Sequence, residues 1–320
     1  MLALVKTIRF ETDDIIRIEL NSTDQADLPA FAAGDHIDIK LPHGLTKSYS
    51  LMNNPAEKGR YVLGVLKDPA SQGGSRWIHD NLRVGMRLEI NPPSNNFALQ
   101  ENFKHTLLIA GGIGVTPLIS MAHRLKALNA SFEMIYATKS QGSTAFLDEV
   151  AQFGVPVHWH FDDIHAAPPN LHHLIEQRIK SASLNSDTCQ LYACGPEPML
   201  NAFLNACSSL GLQHAHIERF KALEVPKSTE AKATYSVRLK RSKKTIEVAP
   251  QTTLLQALRL HDIEVATSCE EGVCGACETR VISGLPDHLD SVLSDQEKNK
   301  NTVMMICVSG CKSELLELDL

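Results

Sequence analysis

The sequence has no long block of charge of one sign. Its 31 Lys and Arg stand against 37 Asp and Glu, dispersed along 320 residues. That excludes an advertised nucleic-acid face, which needs cations gathered in a stripe or patch. It also lacks an apolar run fit to insert into a membrane, because the longest uncharged stretch, 107–122, is broken by three glycines and by Pro117. Nothing at Met1–Lys6 reads as a secretion signal, so the eight cysteines fit a reducing cytoplasm, where thiols serve metals and redox chemistry. There is no internal repeat and no low-complexity segment. The 14 histidines are scattered, and pairs such as His158/His160 and His172/His173 have no third-ligand motif beside them, so they read as surface or satisfied residues.

What the sequence does have is Cys269, Cys274 and Cys277 in one run, answered by a distant Cys307. A Cys-x4-Cys-x2-Cys run with one remote cysteine is the plant-type spacing for a [2Fe-2S] cluster, whose irons need four thiolates at one compact place. Gly272 and Gly275 suit such a loop, since a residue without Cβ takes positive φ and turns its N–H inward. A structural zinc site or a disulfide pair are the alternatives; zinc usually draws its ligands as two short pairs, which this spacing fits poorly. Cys311 reads as a bystander.

Length alone suggests two or three domains. From Val5 to about Ile90, short alternating or β-branched runs are broken by Gly and Pro turns: 15–20, 36–41, 61–65 and 87–90. These predict a small antiparallel barrel. Two spots in it look chemical. Lys47-Ser48-Tyr49-Ser50 is a cationic, aromatic, hydroxylic knot, and Gly73-Gly74-Ser75 opens a helix whose first N–H groups suit a phosphate.

The buried-strand run 106–110 then meets Gly111-Gly112-Ile113-Gly114-Val115-Thr116-Pro117 and a helical pattern, with Thr116 expected as N-cap and Pro117 at the first helical position. Strand, glycine turn and helix bring backbone close to a pyrophosphate. Alternating strands and helices follow, at 132–137, 145–153, 155–161, 171–179, 190–193 and 196–210. They predict a parallel sheet with helices on both faces. Its last strand runs into Cys194-Gly195-Pro196. Beyond 223–233, which reads as a linker, a hairpin (236–239, 245–248), a helix (253–260) and a closing strand (315–318) frame the cysteine loop.

These features resemble the phthalate dioxygenase reductase family along essentially the whole chain. The resemblance implies three domains: an FMN-binding antiparallel β-barrel (1–102), an NAD(P)H-binding α/β domain (103–222), and, after the linker, an α+β β-grasp ferredoxin domain (234–320). Lys47, Ser48, Tyr49 and Ser50, with Gly64, Val65, Leu66, Gly73, Gly74 and Ser75, would hold the flavin. Lys47 stands where the family has arginine, a point charge in place of a bidentate fork. Gly112, Gly114, Thr116, Thr138 and Lys139 would line the pyridine nucleotide. Cys194, Gly195 and Pro196 would face the nicotinamide, with Phe220 covering the flavin ring. Cys269, Cys274, Cys277 and Cys307 would ligate iron.

NADH is the expected donor. NADPH stays open, because no acid follows the strand at 132–137 and Lys139 tolerates a 2′-phosphate. By the family's pattern, hydride passes to the flavin and two single electrons pass to the cluster and then to a separate Rieske-type terminal oxygenase. No general acid or base stands out. Glu270, Glu271 and Glu278 border the cluster loop and either meet a basic patch on the partner or merely solvate the loop. Two other readings remain: a self-sufficient flavin reductase serving a small-molecule acceptor, and a redox sensor that keeps the fold without turnover.

Overall fold

The computed structural model describes residues 1–23, 27–70, 73–222 and 234–320, so the expected linker 223–233 lies outside the described residues. The chain divides into two compact units, Met1–Glu218 and Arg219–Leu320. Among the described residues no helix is long and apolar enough to cross a membrane.

The first unit begins with antiparallel strands β1 (Leu2–Thr12), β2 (Ile15–Ser22), β3 (Asp35–Lys40), β4 (Thr46–Ser50), β5 (Arg60–Leu66), β6 (Arg87–Ile90) and the short β7 (Ser94–Asn95), with helix α1 (Gly74–Asn81) before β6. Their order is β4-β3-β6-β1-β2-β5, and a bridge between Leu51 and Leu63 joins the two ends, so the sheet closes into a barrel. Closure leaves no edge to be covered. The alternation noted at 15–20, 36–41 and 61–65 is what fills it: Ile18, Leu20, Ile37, Ile39, Leu63 and Val65 share one buried cluster.

The same unit continues with β8 (His105–Gly111), α2 (Val115–Ala127), β9 (Ser131–Thr138), α3 (Leu147–Ala151), β10 (Val157–Phe161), α4 (Asp162–His165), α5 (Leu171–Ser181), β11 (Cys189–Cys194), α6 (Glu197–Ser209) and β12 (Ala215–Glu218). All pairings in the order β10-β9-β8-β11-β12 are parallel. Successive side chains take opposite faces. Leu108, Ala110, Met134 and Tyr136 therefore meet α2 and α3, while Leu107, Ile109, Ile135 and Leu191 meet α5 and α6. The first of these cores also takes in Ile15, Met52 and Val62 of the barrel, so barrel and sheet share apolar packing.

Helix α2 starts at Val115, earlier than the Thr116 cap expected from sequence, and Thr116 Oγ1 instead donates to the Ile113 carbonyl at 3.1 Å. Pro117 is tolerated one turn in because the first N–H groups of a helix have no internal acceptor. Helix α3 is shorter than expected, entered through Phe146 at φ 59° and followed by Gly154 at φ 69°.

The second unit holds β13 (Tyr235–Leu239), β14 (Lys244–Val248), α7 (Leu254–Leu260), β15 (Glu278–Ser283), β16 (Pro286–Asp287), α8 (Asp295–Lys300), β17 (Val303–Met305), β18 (Gly310–Cys311) and β19 (Leu315–Leu318). Its main sheet runs β14-β13-β19-β15-β17, with β13 and β19 parallel and the other pairs antiparallel. Thr253 caps α7 through Gln256 N–H, and Leu254, Leu255 and Leu258 are buried in the core. This mixed sheet grasping one main helix is the β-grasp arrangement expected from the sequence.

Candidate functional site

In the parallel sheet the chain moves outward from β8 to β9 and β10, then returns to place β11 on the other side of β8. The crevice outside the carboxyl ends of β8 and β11 is therefore the topological switch point, where open α/β sheets bind ligands. The two glycine turns expected from sequence stand there, one after each strand. They touch. A Cβ on Gly114 would overlap the carbonyl group of Cys194 and come within 2.7 Å of the Gly195 nitrogen. One on Gly195 would lie 3.0 Å from the Gly111 Cα. Gly114 has φ −63°, so it is glycine for close approach, whereas Gly112 at φ 53° is glycine for its backbone conformation. Tyr136, buried, donates from its hydroxyl to the Gly112 and Ala145 carbonyls, both at 3.2 Å, and steadies the turn from below.

Thr138 ends β9 one strand over and bonds Thr144 and the Ser140 carbonyl; Lys139 follows it, exposed. No acid stands at that strand end, but Asp162 and Asp163 follow the neighbouring β10, and Asp163 N–H donates to the Lys139 carbonyl at 3.0 Å. Sequence reading missed them because only the pairing of β10 with β9 brings them there.

On the barrel, alternation puts Lys47 and Tyr49 on one face of β4 and Ser48 and Ser50 on the other. Ser48 Oγ donates to Asp38 at 2.7 Å. Gly73, at φ 103°, caps α1, and a Cβ on Gly74 would stand 2.9 Å from the Lys47 Cγ, so the lysine stem crosses the opening of that helix. A cation beside the N–H groups that open a helix is a cradle for phosphate. Ser75 Oγ accepts from Asp68 N–H. Gly64 needs to be small, since a Cβ there would lie 2.7 Å from Thr116 and 2.8 Å from Phe146 across the barrel–sheet contact; Val65 is buried beside it and Leu66 partly so.

The residue that sequence reading passed over is Glu218, the end of β12. It lies beside Cys194 in the parallel register, and its carboxyl meets the Ser50 hydroxyl while Oε2 is enclosed with no hydrogen-bond partner. Burial pushes its carboxyl up to about 8, against which the Ser50 bond works only partly. The Cys194 thiol is fully buried and is also pushed far up, by burial first and by Glu218 second, so it is no nucleophile. A group able to hold a proton near neutral pH thus stands between barrel and sheet, at a position that did not stand out in the sequence. Its only sequence signal was an acid among the apolar and aromatic neighbours Ile217 and Phe220.

This has a measurable consequence. Between pH 4.5 and about 8 the folded chain keeps a proton that the unfolded chain releases, so this carboxyl erodes stability as pH rises across that window. Glu218→Gln should remove that slope. Thermal unfolding at pH 8.5 should then rise by roughly 5 °C relative to the parent, with little difference at pH 4.5. Equal shifts at both pH values would show that the proton is not held there.

In the second unit the sulfurs of Cys269, Cys274, Cys277 and Cys307 are buried and joined by no disulfide. They interact in two pairs, Cys269 with Cys274 and Cys277 with Cys307, and within the first the Cys269 N–H donates to the Cys274 sulfur at 3.4 Å. The bond from Cys274, with the backbone N–H groups of Glu271, Val273 and Cys274, brings the Cys269 thiol down to about 6 although burial opposes it. Cys277 is lowered by its bond from Cys307, and the two donors are raised correspondingly. Glu270, Gly272 and Gly275 take φ of 54°, 72° and 69°, which turns the loop's amides toward the sulfurs. Among the described residues no three donor side chains converge on one point. Two pairs suit two irons better than one tetrahedral zinc. Around the loop, Glu270 is bonded by Arg259, Glu271 is half-buried and Glu278 is exposed, so the expected acidic rim is already partly neutralised. Cys311 bonds Ser313 and takes no part. Phe220 lies two residues beyond β12 and is exposed.

Comparison with known proteins agrees with this geometry. Residues 237–312 match the 2Fe-2S iron-sulfur cluster binding domain, and 108–205 match the oxidoreductase NAD-binding domain. The chain is 44% identical over 316 residues to phenoxybenzoate dioxygenase subunit beta of Ectopseudomonas oleovorans, covering 99% of this chain and 96% of that protein. The solved structure of phthalate dioxygenase reductase, described as modular for electron transfer from pyridine nucleotides to [2Fe-2S], superimposes with a TM-score of 0.71 at 33% identity, over 100% of this chain and 98% of that one. The chain belongs to the phthalate dioxygenase reductase-like family. It is an oxidoreductase with an NAD-binding and a 2Fe-2S domain. Other members of similar extent are vanillate O-demethylase oxidoreductase of Pseudomonas sp. (strain HR199 / DSM 7063), 38% identical over 99% of both chains, and tetrachlorobenzoquinone reductase of Sphingobium chlorophenolicum, 40% identical over 96% of this chain and 94% of that one. An intact type IV self-sufficient cytochrome P450 monooxygenase carries the same arrangement at a TM-score of 0.89 and 36% identity, this chain spanning only 41% of its length.

Proposed function

We propose that this family member is the NADH-dependent reductase component of a two-component oxygenase, feeding single electrons to a separate Rieske-type terminal oxygenase. The assignment gives 1–102 to FMN, 103–222 to the nucleotide and 234–320 to the cluster. When bound, FMN would supply the exchange between one hydride, which carries two electrons, and single-electron release, and the [2Fe-2S] cluster would supply one-electron transfer.

The chain's own residues divide the remaining work. Lys47 and the amides opening α1 hold the FMN phosphate, Tyr49 supports the ring, and Ser50 offers a hydroxyl beside Glu218, which keeps a proton at its enclosed carboxyl. Glycines 112, 114 and 195 let the nucleotide lie against backbone, Thr116 closes the turn, and Cys194 with Pro196 walls off water from the nicotinamide. Phe220 serves as the ring cover. Asp162 and Asp163 beside Lys139 support NADH over NADPH, since two acids would repel a 2′-phosphate. Cys269, Cys274, Cys277 and Cys307 hold the irons.

The observation that carries this reading is the presence in one chain of a switch-point nucleotide crevice and four buried thiols paired two and two. NADH consumption by the purified protein, with and without a purified oxygenase and its substrate, tests it. Product formed stoichiometrically with NADH only when the oxygenase is present is the expected result; NADH consumption that never couples to any oxygenase removes the reading. A second reading, delivery to a small acceptor, is favoured by the likeness to tetrachlorobenzoquinone reductase, and chlorinated quinone reduction at physiological rates without the oxygenase would select it.

A further inference from the structure

Asp290 is a buried carboxylate in the second unit that belongs to no ligand set and takes no part in the function proposed above. It sits in the loop between β16 and α8. Its Oδ2 accepts from the N–H groups of Val292 at 3.2 Å and Leu293 at 2.9 Å. Its Oδ1 accepts from the Ser309 hydroxyl at 3.4 Å and faces His288 Nδ1 at 3.7 Å. His288 is itself buried, bonds Asn301 through Nε2, and has no hydrogen-bond partner at Nδ1. Lys298 donates to the main-chain carbonyl of Asp290, not to its carboxylate.

Two links from this turn reach the cysteine segments. Ser291 N–H donates to the Gly272 carbonyl at 2.9 Å, and the Gly272 N–H faces the Cys307 sulfur. A Cβ on Gly272 would come within 2.6 Å of Val308 and 3.2 Å of the Asp290 Cα, so the three-cysteine loop, the Asp290 turn and the Cys307 segment pack without a gap. Ser309, two residues past Cys307, bonds the Asp290 carboxylate and accepts from Leu289 N–H.

We propose that Asp290 is a positioning residue for the cluster pocket: it registers the Cys307 segment against the Cys269–Cys277 loop, and its buried charge holds the cluster's reduction potential low. The registering follows from the bonds, because Cys307 is the one ligand contributed from outside the loop: Ser309, two residues past it, bonds the Asp290 carboxylate, and the neighbouring Ser291 N–H holds the Gly272 carbonyl of the loop. The potential follows from Coulomb's law, since a buried negative charge beside the site opposes the arrival of an electron, which makes the cluster a stronger donor once reduced. The electron itself comes from NADH in the established chemistry of an NAD-dependent oxidoreductase, and no bond at Asp290 is made or broken.

The inference rests on the cluster assignment, and the experiment separates the two. Iron and acid-labile sulfide are first measured in the full-length wild-type protein; their absence would end the cluster assignment and this inference with it. In protein that holds the cluster, Asp290→Asn keeps an acceptor for both amides but removes the charge. Potentiometric titration followed by visible absorbance and electron paramagnetic resonance should show its cluster about tenfold or more easier to reduce, a positive shift of ~59 mV per tenfold for one electron. A variant that holds iron at the wild-type potential overturns the inference while leaving the cluster assignment standing. If Asp290→Asn cannot retain iron, Ser309→Ala decides. It spares the charge and cuts only the tie to the Cys307 segment, so it should release iron to a chelator several-fold faster than wild type. A wild-type release rate there overturns the inference as well.

Discussion

Cys274→Ser should leave a protein that still oxidises NADH with a two-electron dye but delivers nothing through iron. Cys274 Sγ accepts from the Cys269 N–H at 3.4 Å inside the buried loop, and it is one of the four sulfurs proposed to hold the irons. Serine oxygen is a harder and more weakly acidic donor than thiolate, and a plant-type cluster needs all four sulfurs. The nucleotide crevice lies in the other compact unit, Met1–Glu218, whose strands and core do not include any of the four cysteines. Distant, independent sites act additively, so dye reduction should stay within about twofold of wild type. Reduction of cytochrome c, an acceptor that takes single electrons, should fall to background, and the visible absorbance of the cluster should vanish. Loss of the dye reaction too would mean that the two units do not work separately.

The second large effect is expected at Gly114. Alanine there would drive a methyl group into the Cys194 main-chain carbonyl, and neither the strand end at Cys194 nor the helix start at Val115 has a flexible tail that can swing aside. One of the two turns must move. A displacement of about 1 Å at a reacting centre costs on the order of a hundredfold in rate, so kcat/KM for NADH should fall by about that factor. Flavin content should not change, because an added methyl at Gly114 meets Cys194 and Gly195 and none of the barrel residues that would hold the flavin. A wild-type kcat/KM in Gly114→Ala would show that the nucleotide binds elsewhere. Gly112→Ala should be milder in space, having nothing within 4 Å, but strained by its φ of 53°.

Much of this architecture could be read from the chain. The strand periods at 15–20, 36–41 and 61–65 became barrel strands, and the alternation from 106 to 210 became a parallel sheet, because in both cases the buried positions repeat with the period of the element that buries them. The cysteine spacing likewise foretold a loop with positive φ at Gly272 and Gly275. What could not be read was whatever depends on pairing between distant strands. Glu218 gains its raised proton affinity only when β12 lies beside β11 and near Ser50 of the barrel. Asp162 and Asp163 reach Lys139 only through the register of β10 on β9. The glycines at 111, 114 and 195 announce a turn, but their reason for being glycine is each other's backbone, which no local pattern encodes.

Strand β19 lies in the middle of its sheet, between β13 and β15, although it is synthesised after both. Until Leu315–Leu318 has emerged from the ribosome, the halves on either side have no common member and cannot close over the apolar core. All four ligand cysteines are therefore translated before the domain that seats them can exist. The pocket that gathers the four sulfurs thus depends on a strand that comes later in sequence than any of them.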